Sequence, residues 1–452
     1  MYYNNLITPA NFINGITHQH PLAKAVLNQA MEVFSNNRVN LEVSYNGKDF
    51  KVSFTSPSES VGDNMHMDYA GKQWLWDSCF HIISLAEKNP EFVKKEFLAL
   101  LVAQREDGFI PHMHHWFKDG QTPPGWAIKK GQTKFWRDSL ISDITQPPIL
   151  AIALKAIYDS TKDLEYLKKT IPPIVKFYNY LHEKRDPDKD NLISILHPWE
   201  SGWDNSQRWD VALNLPYNNG PVNRSYIDDK KKEIFLHNAS LNWQEEAIFE
   251  SGKFDVEPVD FNVIYALNMA ILADLCSVIN DNDNQNQLLK RSKDTTNAIF
   301  NIMWDGQKYT DIVGKNNIPS DIKSAAMFYP LILEGEIHYQ SLIENFLIEE
   351  SEFMAPFGIP TVSRSDKTYS PSDYWRGNIW PPVNYFICCG LANIYKKHNY
   401  KLAKALKNYI AVTYHLILHK EGFYEYFNPE TGAGFGVKNL SWNGIASKIL
   451  DL

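Results

Sequence analysis

The chain has 452 residues, of which 44% are hydrophobic and 13% aromatic, which is ample for a packed globular core. Its formal charge of −8 comes without any long basic run, which argues against nucleic acid or an anionic membrane as a partner but leaves room for a small anionic ligand. The four cysteines (Cys79, Cys276, Cys388 and Cys389) show no CxxC spacing, so reduced thiols are expected rather than disulfides or a structural zinc site.

The first fifty-five residues predict one helix and one hairpin. The N-terminal end has neither the basic start nor the apolar core of a signal peptide, and no apolar run is judged long enough for a membrane span. A cytoplasmic protein is therefore expected. Residues 21–36 repeat apolar side chains at helical spacing. Residues 39–55 alternate apolar and polar residues around Asn46-Gly47, which predicts a β-hairpin.

From about residue 73 onward the pattern predicts one helix after another, separated by clusters of Pro, Gly, Asn and Asp. No low-complexity linker and no repeat of fixed period occurs, which favours a single domain over residues 1–452 and weighs against a regular solenoid. The arrangement expected is helical hairpins around a central cavity, although periodicity alone leaves a closed toroid and an open stack undistinguished. The predicted helices cover residues 73–88, 91–105, 139–161, 164–184, 260–280, 285–304, 322–333, 336–350, 382–398 and 400–419.

Residues 197–206 carry two carboxyl groups, Glu200 and Asp204, among tryptophans that include Trp199. A proline and a glycine in this stretch disfavour a continuous helix, so the acids are expected on a connecting loop. A carboxyl held among indole rings loses hydration, its pKa rises, and it can then serve as a general acid. An N-capping Asp beside core tryptophans is the competing interpretation, with equal weight on this stretch alone.

Two further loops combine tryptophan with charge. Trp76 and Asp77 form a plausible sugar-binding pair, in which the indole covers C–H faces and the carboxylate accepts hydroxyl hydrogen bonds. Helix capping by Asp77 is the structural alternative. Trp375, Arg376 and Trp380 flank a glycine that permits close backbone approach. Their alternative is an aromatic corner with Arg376 in a structural ion pair.

Residues 422–432 place Glu425 among four aromatic residues, and Trp442 follows shortly after. A buried carboxylate is costly without a role or a partner, so Glu425 is a second candidate catalytic acid. A structural ion pair between Glu425 and a nearby arginine is the alternative.

The polar stretches 107–115 and 143–148 predict sugar contacts by His112 and Gln146. Three histidines near residue 112 invite a metal interpretation, but adjacent histidines on an extended segment diverge, so sugar contact is favoured. Asp186, Asp188 and Asp190 resemble the start of a calcium loop. The twelfth position is His197, where a bidentate Glu is wanted, so a simple turn is expected and neither a metal nor a cofactor is predicted.

Paired acids on aromatic-lined loops meet the requirement of glycoside hydrolysis, in which one acid protonates the leaving oxygen and the other activates water or attacks carbon. Asp204 and Glu425 are far apart in the sequence, so only the fold can bring them together.

Three ordered motifs resemble those of family 63 glycoside hydrolases and of the related trehalases. They are Trp-Glu-Ser-Gly-Trp-Asp-Asn-Ser at 199–206, Tyr-Trp-Arg-Gly-Asn-Ile-Trp-Pro-Pro at 374–382 and Phe-Tyr-Glu-Tyr-Phe-Asn-Pro-Glu-Thr-Gly at 423–432. The resemblance extends from about Trp74 to Trp442. The short chain looks most like the bacterial mannosylglycerate and glucosylglycerate hydrolase branch.

This resemblance implies an all-α fold, an (α/α)6 barrel with a small N-terminal β-hairpin, and an inverting α-glycosidase. It implies Asp204 as general acid and Glu425 as general base, with the two carboxyls roughly 6.5–9.5 Å apart. The sugar site is expected to include Trp76, Asp77, Trp375, Arg376 and Trp380, with supporting roles for Glu200 and Arg208.

The expected partner is a small carbohydrate, an α-glucoside or α-mannoside with a sugar, glycerate or related aglycone. For a glycerate, the sequence names Arg105, Arg137, Lys129, Lys130 and Arg208 as possible cationic suppliers. A trehalase is the nearest alternative, followed by a glycoside phosphorylase and by a non-catalytic sugar-binding protein.

Overall fold

The structure, a computed structural model, describes residues 14–58, 69, 71–116, 136–137, 141–215 and 222–452, and it is mostly helical. In chain order, helices α1 to α13 are Pro21–Asn36, Leu75–Leu85, Pro90–Val102, Leu150–Thr161, Leu164–Lys184, Arg224–Ser240, Glu245–Ser251, Val259–Val278, Asn282–Ile302, Tyr339–Leu342, Pro381–His398, Lys401–Glu421 and Ala446–Ile449. Strands β1 to β9 are Arg38–Tyr45, Lys48–Thr55, Lys72–Trp74, Met113–His115, Val256–Glu257, Ile312–Val313, Ile318–Pro319, Tyr426–Phe427 and Gly434–Phe435.

Helix starts follow local capping chemistry. Helix α1 begins with Pro21 at its first position, and the ring of His20 accepts a hydrogen bond from the backbone N–H of Leu22 at 3.2 Å. Helix α5 begins after Asp163, whose carboxylate accepts from the backbone N–H of Tyr166 at 3.0 Å. Both caps satisfy backbone donors that would otherwise lack a partner in the first turn.

Strands β1 and β2 form an antiparallel hairpin in which Tyr45 pairs with Lys48 across Asn46-Gly47. Both turn residues have positive φ, 51° and 73°, as a two-residue hairpin turn of the primed type requires. One face of the hairpin, including Val52 and Phe54, packs with residues of α3 in a small separate cluster.

Helix α8 lies in the main hydrophobic core, where it packs against α4, α5 and α9. It is long and apolar enough to cross a membrane by length and composition alone, so the expectation that no such run exists is wrong. However, 67% of its most apolar window is buried inside the protein. Burial of that kind is what a core helix requires.

Several predicted helices differ from the structure. The helix expected at 139–161 begins only at Leu150, because Pro147 and Pro148 precede it and the residue before a proline disfavours helical geometry. The helix expected at 322–333 is a 3-10 segment, Ala325–Ile332, which contains Pro330. The helix expected at 336–350 is the four-residue α10 followed by a wider π turn, Ile343–Leu347. Helices α6 and α7 were not predicted at all.

Short strands connect the loops that hold the candidate site. Strand β3 pairs with β4, β5 with β6, and β8 with β9. An isolated bridge joins Ile379 to Phe427 in β8, and another joins Ile195 to Val256 in β5. The first bridge ties the 374–380 loop to the 423–437 loop, and the second ties the segment just before the 197–206 loop to β5.

Candidate active site

The loop carrying Asp204 is a capped 3-10 turn. The ring of His197 accepts from the backbone N–H of Trp199 at 3.2 Å, and the segment Pro198–Ser201 follows. Gly202 then takes φ +75°, and a Cβ at that position would lie 2.5 Å from the Trp76 ring. Both the positive φ and the contact with the Trp76 ring therefore exclude a side chain at position 202. The turn therefore packs against the Trp76 ring. Asp204 follows the turn and is partly exposed.

Glu200 is fully buried beneath this loop and does not share the environment of Asp204. Its carboxylate is bound by Arg185 Nη1 at 2.8 Å and by the backbone N–H groups of Thr145 at 3.0 Å and Leu196 at 2.7 Å. These bonds occupy its oxygens inside the protein. Glu200 fastens the loop to the end of α5 and to the segment before α4.

Glu425 immediately precedes β8 and is 2% exposed. Tyr69 donates its hydroxyl to Oε1 at 2.9 Å, and Tyr374 donates to the same oxygen at 3.4 Å. The backbone N–H of Val437 donates to Oε2 at 3.1 Å. Gly436 makes this contact possible, because it takes φ +76° and a Cβ there would lie 2.4 Å from Oε2.

A column of aromatic rings connects the two acids. Trp203, next to Asp204, stacks on Trp375 at 5.4 Å between centroids, and Trp375 stacks on Trp380 at 3.6 Å. Trp380 in turn stacks on Tyr426, next to Glu425, at 4.9 Å. Large rings in contact resist displacement because protein interiors are close-packed. The column fixes the neighbour of one acid relative to the neighbour of the other.

The pKa of Asp204 is raised to about 7, first by burial. The charge of Lys231 lowers it, the charge of Glu425 raises it, and no hydrogen bond from a described residue is among the causes. The structure thus brings Glu425 near enough for the two charges to interact. A carboxyl with this pKa holds its proton in a substantial fraction of molecules at neutral pH.

Burial also raises the pKa of Glu425, but its hydrogen bonds oppose the effect. The Val437 N–H and the Tyr69 hydroxyl lower that pKa, because both donate to the ionised form, and the charge of Arg224 lowers it further. The two acids therefore sit in different environments: Glu425 has donors for its charged form and Asp204 does not.

Asp77 is a third buried carboxyl in the same electrostatic field. It lies in the first turn of α2 and is 4% exposed. Burial raises its pKa to about 8, and the charges of Glu425 and Asp204 raise it as well. This shift favours the neutral, hydrogen-bond-donating form of Asp77 near pH 7.

The remaining predicted sugar-site aromatic residues surround these acids. Trp442 lies edge-on to both Trp76 and Trp380, at 6.0 and 5.7 Å between centroids. The indole N–H groups of Trp375 and Trp442 are buried and have no hydrogen-bond partner among the described residues. Trp199 lies further out, in a cluster with Phe235 and Trp243.

His112 and Gln146 lie on the α2 side of the site. The His112 ring packs edge-to-face on Trp74 at 5.1 Å and bonds to the Ser142 hydroxyl through Nδ1. Burial lowers the pKa of His112 well below its usual value, so the ring is neutral. The side-chain oxygen of Gln146 accepts from the backbone N–H of Trp76 at 3.1 Å. Gln146 therefore helps to position Trp76.

Arg208 and Arg376 have their charge matched inside the protein. Arg208 is fully buried, bonds to both oxygens of Asp311 at 2.6 and 2.8 Å, and reaches Asp260 at 2.5 Å. Arg376 makes a bidentate pair with Asp210 at 2.6 and 3.0 Å and donates to the Asn205 carbonyl. These bonds support the loops around the acids and favour a positioning role over sugar contact.

Four residues near the acids were missed by the sequence analysis: Tyr69, Tyr374, Arg224 and Lys231. Tyr374 belongs to a recognised motif, and its position directly before Trp375 was an available signal. Arg224 lies over the Tyr374 ring, 4.8 Å from its centroid, and its charge lowers the pKa of both acids. Lys231 is buried and bonds to the Asn205 side chain. No local pattern marked Tyr69, Arg224 or Lys231.

The chain belongs to a glycoside hydrolase family. The mannosylglycerate hydrolase MGH1-like glycoside hydrolase domain matches residues 69–443. This stretch contains the Asp204 loop, the aromatic column and Glu425. The protein is accordingly a glycoside hydrolase, and the family predicted from the three motifs is confirmed.

Named relatives lie within the same branch. The mannosylglycerate hydrolase of Rubrobacter radiotolerans is 26% identical, over 84% of this chain and 90% of its own. The glucosylglycerate hydrolase of Mycolicibacterium hassiacum is 26% identical, over 82% of this chain and 90% of its own. A crystal structure of the family 63 mannosylglycerate hydrolase from Thermus thermophilus, in complex with Tris and D-glycerate, superposes with a TM-score of 0.76 at 25% identity. The match covers 94% of this chain and 100% of that one.

Trehalases match over less of the chain. The trehalase of Bombyx mori is 24% identical over 58% of this chain and 48% of its own length. The trehalase alternative is therefore less supported than hydrolysis of a glycosylglycerate.

Proposed function

We propose that this glycoside hydrolase is an inverting enzyme that cleaves the α-glycosidic bond of mannosylglycerate or glucosylglycerate. Asp204 protonates the glycosidic oxygen, and Glu425 accepts a proton from the attacking water. The whole chain forms one (α/α)6-barrel catalytic domain with the β1–β2 hairpin as an excursion. The observation that carries the proposal is the contrast between the two interacting carboxyls, because an acid and a base need opposite protonation states at one pH.

The environments fit these roles. Asp204 is partly exposed, lacks described hydrogen-bond donors and has a pKa of about 7, so it can hold a proton and deliver it. Glu425 accepts three hydrogen bonds, which favour its charged, proton-accepting form. Trp76, Asp77, Trp375, Trp380 and Trp442 form the sugar subsite. Glu200, Arg208 and Arg376 position its loops.

The stereochemistry of the released sugar tests this mechanism. An inverting enzyme acting on an α-glycoside releases the β-anomer first, whereas a retaining enzyme releases the α-anomer. We expect proton NMR within the first minutes of reaction to show the β-anomer, followed by mutarotation. Initial release of the α-anomer would assign Glu425 or Asp204 as a nucleophile instead. Mannosylglycerate, glucosylglycerate and trehalose supplied in parallel identify the substrate, and trehalose is expected to react slowest.

A glycerate aglycone requires a cation, and Arg224 is the described residue that fits best. Its guanidinium is about half exposed at the start of α6, and its ion pair with Asp228 is loose at 3.9 Å. Its charge lowers the pKa of both carboxyls proposed as catalytic, which supports a position near the bond to be cleaved. Of the suppliers predicted from sequence, Arg105 and Arg137 bind Asp143, Arg208 is buried, and Lys129 and Lys130 lie outside the described residues.

Substitution of Arg224 by Gln is expected to separate charged from neutral aglycones. A charge-assisted hydrogen bond contributes about 1.5–3 kcal/mol, so KM for the glycosylglycerate should rise about 10- to 100-fold. The KM for the matching glycosylglycerol, which lacks the carboxylate, should change little. Lys230→Gln, on the same helix, is the matched control and should leave both values unchanged. Equal losses on the two substrates in Arg224→Gln would contradict carboxylate binding by Arg224.

A further inference from the structure

Helix α6 carries a stripe of three charged residues that act on Asp204. Arg224, Asp228 and Lys231 are spaced four and three residues apart, so they share one face of the helix. The side chains of Arg224 and Asp228 are about half exposed, whereas that of Lys231 is only 5% exposed. Water therefore screens the charge of Lys231 less than it screens the other two.

The ammonium group of Lys231 is held beside the loop that carries Asp204. Nζ donates to the side-chain oxygen of Asn205, the residue that follows Asp204, and lies 3.0 Å from Asp228 Oδ1. It also lies 5.7 Å from the centroid of the Trp199 ring. Burial of a lysine is costly unless its charge is matched or used. These contacts keep the charge inside the protein, next to the proposed acid.

Two other basic side chains near this loop add little positive charge to it. Burial lowers the pKa of His197 to about 3, so its ring is neutral, and Nε2 donates to the Lys231 carbonyl oxygen at 3.0 Å. Arg376 donates to the Asn205 carbonyl at 3.0 Å, but its charge is matched by the bidentate pair with Asp210. Neither group duplicates the charge of Lys231.

The charged groups that interact with Asp204 come from three elements. The described groups are the acids Asp77 on α2, Asp228 on α6 and Glu425 before β8, and the cations Arg224 and Lys231 on α6. Burial raises the pKa of the neighbouring phenols, Tyr69 and Tyr374, well above the usual value, so both are neutral. Burial and acidic neighbours also raise the pKa of Asp204, whereas the two cations lower it, Lys231 more than Arg224. Among the described groups, Lys231 is the charge that most strongly opposes the rise.

We propose that Lys231 is a positioning residue for proton donation, whose charge keeps Asp204 acidic enough to release its proton to the glycosidic oxygen. This role rests on the proposed function, in which Asp204 is the general acid. Proton transfer leaves Asp204 ionised, and a cation held close by stabilises that ionised form. Asp204 regains a proton from solvent after the products leave. A general acid that binds its proton too tightly is a poor donor, so the opposing charge favours catalysis.

Lys231→Met tests this role, because methionine keeps an unbranched apolar stem and removes the charge. The pKa of Asp204 should then rise, and a general acid with a higher pKa stays protonated to higher pH. We expect the alkaline decline of kcat/KM to move up by about 1 pH unit or more. Carbon-13 NMR titration of the Asp204 carboxyl in the free protein, with its signal assigned by Asp204→Asn, should show the same displacement. Lys230→Met, a partly exposed lysine that pairs with Glu233, is the matched control and should change neither value.

Asp228→Asn should move the same alkaline decline in the opposite direction. The Asp228 carboxylate raises the pKa of Asp204 and pairs with Lys231, so its removal takes away negative charge and leaves the lysine unmatched. We expect the decline to move down by about 0.5 pH unit, a smaller change because water screens a half-exposed charge. Asp228 is half exposed, so this variant tests the role of Lys231 even if Lys231→Met does not fold.

Failure of this role and failure of the proposed function give different results. An alkaline decline and an NMR titration that stay in place in Lys231→Met and Asp228→Asn would overturn the proposal. Any accompanying loss of Tm or kcat would then make Lys231 a structural anchor of Asn205, while the assignment of Asp204 as acid would stand if Asp204→Asn still loses activity. Near-normal turnover in Asp204→Asn would instead contradict the proposed function itself, whatever the NMR titration of Lys231→Met shows.

Discussion

Asp204→Asn is expected to lower kcat on the glycosylglycerate about 10²- to 10⁴-fold, which is the usual contribution of a general acid. Asparagine has nearly the same shape but no proton to give, so the loop, the Trp76 contact and the melting temperature should change little. Asp229→Asn, an exposed acid on α6, is the matched control and should keep full activity. A near-normal kcat in Asp204→Asn would show that another group protonates the glycosidic oxygen.

A substrate whose leaving group needs no proton separates the two acids. Fluoride departs without protonation, so Asp204→Asn should hydrolyse the matching α-glycosyl fluoride within about tenfold of the unaltered rate. Glu425→Gln should stay inactive on that fluoride, because water must still be deprotonated. If both variants lose the fluoride reaction equally, Asp204 is not acting as a proton donor.

The pH dependence of activity tests the same assignment of Asp204 as acid and Glu425 as base. A general acid works only while protonated, so kcat/KM should fall as the pH rises through about 7, the pKa of Asp204 in the free protein. A general base works only while ionised, so activity should also fall as the pH drops through the raised pKa of Glu425. In Asp204→Asn with the glycosyl fluoride, the alkaline decline should disappear and the acidic one should remain.

The sequence predicted the long helices well, because their buried faces are apolar and repeat at helical spacing. Helix α6 was not predicted, because its buried face includes Lys231 and Asn238 beside Ile227 and the apolar pattern is therefore interrupted. Lys231 is buried with its charge bound by Asp228, from the preceding turn of the same helix, and by Asn205, which only the fold brings near. Segment 325–332 was mistaken for an α-helix because apolar content alone does not register Pro330.

The candidate site, like the fold, was predicted only in part from the sequence. The aromatic-acidic motifs pointed to Asp204 and Glu425, since each motif is local and chemically unusual. The partners that set the pKa of each acid lie outside these motifs: Tyr69 and Val437 for Glu425, and Arg224 for both acids. Glu200 and Asp204 looked alike in sequence, and only the fold shows that Arg185 and two backbone N–H groups bind Glu200, which separates this loop anchor from the proposed proton donor.

Arg208→Met is expected to lower the free energy of unfolding by about 3–5 kcal/mol, because removing one member of a buried ion-pair network leaves the others uncompensated. Asp260 and Asp311 would then be two buried carboxylates without their cation. Arg208 also lies between the rings of Trp203 and Trp209, at 4.8 and 4.7 Å from their centroids, so its loss loosens the column beside Asp204. Chemical denaturation at neutral pH measures the effect.

The matched control for this variant is Arg364→Met. Arg364 also makes a bidentate pair, with Glu430 at 2.8 and 2.9 Å, but both side chains are roughly one-quarter to one-third exposed. A pair screened by water contributes about 0–1 kcal/mol, so the stability loss should be small. A direct sugar contact by Arg208 would instead raise KM while leaving the free energy of unfolding unchanged, and that result would return Arg208 to the sugar site.

The stability loss in Arg208→Met should also shrink as the pH falls. Burial raises the pKa of Asp260, and the guanidinium that opposes this rise is absent from the variant, so the folded variant binds more protons than the unfolded chain. Stability from such a group is present below the unfolded pKa and is lost as the pH rises through the folded one. Unfolding at pH 5 should therefore show a smaller difference from the unaltered protein than unfolding at pH 8. A difference that is constant with pH would mean that packing, not the uncompensated charge, accounts for the role of Arg208.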